Sequence, residues 1–169
     1  MKGMMATVAT AAVCLAMCGV VTAGDEATAY TPETGFEALE SLVGTWLNEK
    51  NADPKQGMVI RMTGAGSVVA VTQFPGSPME MMSLFHMDGP DRLVHTHYCA
   101  LQNQPTMVMV PSEAAGVMRF EFESGTNMDV AKDMHTHHTE MHLLDDGKVK
   151  VVVEAWSDGK PMPTQEFTM

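Results

Sequence analysis

The apolar and polar positions change period once along this chain. In "TGFEALESLVGTW", Phe36, Leu39 and Leu42 or Val43 recur at helical spacing and share one apolar face. Thr34, with Glu37 three residues on, makes a capping-box pattern, and Gly44 is a natural stop. One short helix is predicted there. After Trp46 the period becomes two, the signature of half-buried strands. "GMVIRMTGAGSVVAVTQF" reads as two strands around the turn Gly64-Ala65-Gly66, and "PMEMMSLFHMDGPDRLVHTHYCAL" as two more around Asp88-Gly89-Pro90-Asp91. "TMVMV" and "GVMRFEFES" follow, separated by Pro111 and Gly116. "DMHTHHTEMHLLDDGKVKVVVEAWSDGK" is the clearest hairpin, with Asp146-Gly147 at its turn, and "TQEFTM" reads as a closing strand. About eight to ten short strands with no βαβ rhythm predict an all-β, antiparallel barrel or sandwich preceded by one helix.

The segment before the helix is of another kind. "MKGMMATVATAAVCLAMCGVVTAG" has a lone Lys2, an apolar run from Met4 to Val21, and Val21-Thr22-Ala23 in the small-x-Ala pattern of a secretory cleavage site. The run is short, is interrupted by Gly19 and has no second apolar span after it, so no membrane span is expected. Leu15-Ala16-Met17-Cys18 resembles a bacterial lipobox, although Met17 stands where a small residue is usual; lipidation at Cys18 is the alternative to cleavage after Ala23. The expected organisation is a signal peptide over 1–23, a leader over 24–33 and one domain over 34–169, in a periplasmic or secreted protein.

The helix followed by Gly44-Thr45-Trp46 at the first strand resembles the Gly-x-Trp signature of lipocalin-like barrels, whose interior can hold one small ligand. A closer likeness is to uncharacterised exported bacterial proteins with a lipocalin-like domain. It is carried by "LVGTW", "THYCALQNQP", "HTH" at 135–137 and Trp156 with Asp158-Gly159-Lys160. The resemblance implies a barrel with a pocket and no particular reaction.

Charge narrows the partners. The chain has 10 Lys and Arg against 21 Asp and Glu, a net charge of −11. Loss of Lys2 with the signal makes the domain more acidic still, so nucleic acid is not an expected partner. Of three cysteines only Cys99 lies beyond the signal, so no internal disulfide is expected and stability must come from the core.

The chemistry concentrates in "HTHYC". On a strand His95, His97 and Cys99 share one face, with neighbours about 6.6 Å apart, close enough for two imidazoles to reach one ion. Two histidines and a thiolate suit zinc or copper, and a neutral, hydrogen-bonded pocket lining is the competing reading. In "MHTHHTEMHLL", His135 and His137 share a face with Thr139 and Met141, opposite His138, Glu140 and His142. The acidic face reads as solvated, so His135 and His137 are expected to point inward. His95, His97, Cys99, His135 and His137 would then line one cavity as ligand or metal ligands. Methionine is abundant, 18 in all, and Met79 with Met81, and Met107 with Met109, are paired on strand faces. That pattern suits core filling better than copper. No basic residue stands in "QNQPTM", which argues against an anionic ligand at that point. Three functions follow: a carrier of a small molecule or metal ion, an enzyme using the same histidines as acid and base, or a structural module whose histidines satisfy one another.

Overall fold

A computed structural model describes residues 29–169. The expected signal peptide, Cys18 and most of the leader lie outside the described residues. The helix, α1 (Pro32–Ser41), begins three residues earlier than a cap at Thr34 would place it. Proline's fixed φ suits the first helical position, and Thr31 becomes the cap. The Thr34 amide donates to the Thr31 hydroxyl oxygen (3.2 Å), and the Thr31 amide donates to Thr34 Oγ1 (2.9 Å). The capping box is therefore Thr31/Thr34 and not Thr34/Glu37. At the other end the Trp46 indole N–H donates to the Leu42 carbonyl (2.7 Å), satisfying one of the acceptors a helix leaves open.

The strands are β1 (Gly44–Trp46), β2 (Met58–Thr63), β3 (Val68–Gln73), β4 (Met81–Met87), β5 (Leu93–Tyr98), β6 (Gln104–Val110), β7 (Val117–Thr126), β8 (His135–Leu143), β9 (Val149–Ser157), β10 (Lys160–Pro161) and β11 (Gln165–Thr168). Each of β1 to β10 pairs antiparallel with its neighbour in chain order. The "closing" strand β11 forms, but it pairs with β9 beside β10. The sheet is not closed into a continuous ladder. Its two ends approach where the Glu49 amide donates to the Thr168 carbonyl (2.8 Å) and Lys148 Nζ meets Glu49 Oε1 (2.9 Å). "DGK" at 158–160 is a hairpin corner, with Asp158 and Gly159 both at positive φ between paired Ser157 and Lys160.

An antiparallel meander places alternate connections at alternate ends. Residues 74–80, 99–103, 127–134 and 162–164 gather at one end. The helix packs at the other, across β4 and β5, where Gly35 lies so close to Met109 and Leu93 that an added Cβ would stand 3.0 Å from the Met109 sulfur. Leu39, Ile60, Val69, Leu93, Met107, Met118, Phe120 and Val149 form the fully buried core. Two bulges break the alternation. Glu123 is extra in β7, between Ser124 opposite Thr106 and Phe122 opposite Met107. His137 is extra in β8, between His138 opposite Glu154 and Thr136 opposite Ala155. Among the described residues no helix is long and apolar enough to cross a membrane.

Candidate functional site

Three neighbouring strands carry the polar wall of a cavity. Pairing of β3, β4 and β5 aligns Val69, Phe85 and His95 in one row, and Val71, Ser83 and His97 in the next. The same register brings Gln73 opposite Met81 at the strand ends, where the Cys99 sulfur lies 3.9 Å from that of Met81. Residues directly opposite on an antiparallel pair share a face, so the rows line one wall. The expected grouping of His95, His97 and Cys99 holds, because β5 runs without a bulge.

The cavity has a volume of about 600 Å³ and opens among the connections opposite the helix. Met58, Met141, Val151, Val153 and Phe167 complete its walls. At the opening, Met79, Leu101, Met134 and Met162 are all exposed, Met79 to 58%. "QNQP" shapes this rim: Asn103 Nδ2 donates to the Met134 carbonyl (2.8 Å), tying the β5–β6 loop to the β7–β8 loop. Among the described residues no Asp, Glu, Lys or Arg lines the cavity.

His95 is 3% exposed. Its ring stacks on Phe85 (centroids 4.2 Å apart, planes 14° apart) and meets Phe120 edge-on (5.6 Å). Among the described residues neither ring nitrogen has a hydrogen-bond partner. Burial, and then the neighbouring His97, hold its pKa well below the ordinary 6.5. His97 shares a 3.0 Å hydrogen bond between Nδ1 and the Ser83 hydroxyl, and burial lowers its pKa to about 4. Both imidazoles are thus neutral at neutral pH. The nearest recorded partner of the Cys99 thiol is a thioether, and no lysine or arginine in the cavity is available to activate it as a nucleophile.

His135 and His137 are placed elsewhere. The bulge at His137 reverses the alternation beyond it, so Thr136 joins Thr139 and Met141 on the cavity wall. His137 instead stacks between Trp156 (3.9 Å) and Phe122 (4.9 Å). His135 is buried beside it, with Nε2 3.0 Å from His137 Nδ1 and Nδ1 2.8 Å from the Asp133 carbonyl. Burial, with the adjacent His135, lowers the pKa of His137. On the remaining face Glu140 bridges His142 (2.9 Å) and His138 (3.2 Å). Desolvation pushes the Glu140 carboxyl up, but hydrogen bonds from His142 and His138 hold it below its ordinary value. Among the described residues no three His, Cys, Asp or Glu side chains are grouped so as to hold a metal ion.

Sequence reasoning placed Thr139 on the inward face but missed Gln73, Ser83, Phe85 and Thr136. Period two already put Gln73 in phase with Val69 and Val71, and Ser83 in phase with Met81 and Phe85; what linked them to the histidines was the register across two turns. The Gln73 Oε1 atom, like the His95 nitrogens, is buried without a partner. The fold and site define an antiparallel β protein with one apolar, uncharged cavity open at one end of its sheet. In comparisons with known proteins, no family model, curated protein or solved structure matches this chain.

Proposed function

We propose that this is an exported, lipocalin-like barrel protein that carries one small, uncharged and largely apolar molecule in the cavity. The observation that carries the reading is that, among the described residues, no charged side chain lines the cavity of a chain with net charge −11. An ionised ligand would lose its water there and meet no counter-ion, a cost of several kcal/mol. An apolar one exchanges water for thioether, aliphatic and aromatic contacts, at roughly 25 cal/mol per Å² removed from water. The size supports a single small-molecule site, since such pockets span about 300–1,000 Å³. Four exposed apolar side chains at the rim give an apolar ligand a path from solvent or from a donor surface. Seven of the lining residues are methionines, whose unbranched side chains can adjust to an irregular guest.

Nile red, an uncharged dye that fluoresces in apolar surroundings, tests this. The expected result is saturable binding of one dye per chain with a blue-shifted emission. Val153→Trp, which puts an indole into the cavity wall, weakens it by about tenfold or more. Absence of saturable binding, or binding indifferent to that substitution, contradicts the reading.

A further inference from the structure

His95 lies at the inner end of the polar wall. It is four residues before Cys99, which directly follows β5, about 13 Å by strand rise, on the side away from the exposed rim. The ring cannot swing away to find a partner, because Phe85 lies flat against it and Phe120 meets it edge-on. A neutral imidazole carries one N–H donor and one lone-pair acceptor. Both are left without a protein partner in a side chain more than nine-tenths buried and lining the cavity. One row nearer the rim the polar groups already satisfy each other, as Ser83 and His97. At the rim row the Gln73 amide oxygen is again open.

We propose, building on the carrier reading, that the ligand is a neutral amphiphile bearing a hydroxyl group, and that it enters hydroxyl first to seat that group against His95. A hydroxyl donates and accepts through one oxygen, so it matches either open nitrogen of a neutral imidazole. A carboxylate only accepts and carries a charge the wall does not balance. An ammonium only donates and fails for the same reason. The apolar tail then runs past the Ser83–His97 pair toward Met81 and the methionine rim. Gln73 receives any second donor that the tail carries there.

Three ten-carbon probes competing with Nile red at neutral pH test the proposal: decanol, decanoate, and the fluoride in which fluorine replaces the hydroxyl. Desolvation alone favours the fluoride, so a preference for the alcohol requires a hydrogen-bonding partner inside. Wild-type protein is expected to release dye to decanol at about tenfold lower concentration than to the fluoride, and to decanoate least. In the imidazole nitrogen NMR spectrum the His95 resonances move with decanol and stay with the fluoride. In His95→Phe the preference turns to the fluoride, read as the ratio of the two displacement midpoints. Equal displacement by alcohol and fluoride in the wild type, with still His95 resonances, overturns the hydroxyl proposal and leaves the carrier reading standing. Failure of the dye to bind at all removes both. If His95→Phe does not fold, the wild-type displacement and spectra decide alone.

Discussion

Acidification from pH 7 to pH 4 lowers the folding stability of this protein by about 3 kcal/mol. The cause is His97, whose folded pKa is depressed by burial from 6.5 to about 4. Between those values the unfolded chain binds a proton that the folded chain refuses. The His97 contribution is therefore full above 6.5, falls as the pH drops through that window and is lost near 4. The fall from 6.5 to about 4 corresponds to about 3 kcal/mol. His95 acts in the same direction for the same reason, and His137 adds to it. Carboxylates held low by ion pairs, such as Glu123 beside Arg92 and Asp129 beside Lys132, titrate below the upper part of this window. The limb just under 6.5 therefore belongs to histidine. Urea denaturation at a series of pH values measures it, and His97→Gln makes that limb shallower, leaving the part due to His95 and His137. A wild-type stability that is constant from pH 6.5 to pH 5 contradicts the buried, neutral placement of these rings.

Phe120→Ala costs about 3–5 kcal/mol, the range for emptying a fully buried aromatic site. Phe120 is 0% exposed, and its ring meets both Phe85 (5.4 Å) and His95 (5.6 Å) edge-on. The substitution thus opens a void behind the inner end of the cavity and frees the His95 ring to turn. Chemical denaturation gives the stability change, and the decanol preference over the fluoride is expected to shrink in the same variant. A loss under 1 kcal/mol contradicts the packing described for this wall.

Much of this was readable before any coordinates, and the residues show why the rest was not. The helix announced itself through Phe36, Leu39 and Leu42, but its first turn was misplaced because Pro32 begins it and makes Thr31 the cap. The β8–β9 hairpin and the glycine turn after β2 followed from local turn chemistry. His95, His97 and Cys99 fell on one face because β5 is regular, and simple alternation suffices in a regular strand. The same counting failed in β8, where the extra residue His137 shifts every position before it to the other phase. The bulge lies opposite Glu154 and Ala155, and because its phase change falls within His135-Thr136-His137-His138, all polar, no apolar contrast marks it in the sequence. Gln73 and Ser83 were invisible for a related reason: each reaches the histidines only through cross-strand register. The final strand was foreseen, yet its pairing with β9 was not, since alternation says that a strand exists and nothing about its neighbour.

Methionine methyl NMR tests most directly whether a guest occupies this cavity. Met58, Met81, Met141 and Met169 line it, whereas Met109 and Met118 are buried in the core away from it. Titration with decanol is predicted to shift the first four methyl resonances together, saturably and with one midpoint, while those of Met109 and Met118 stay in place. Shifts spread evenly over core and cavity methyls, or confined to exposed Met79 and Met162, would contradict a ligand held inside the sheet.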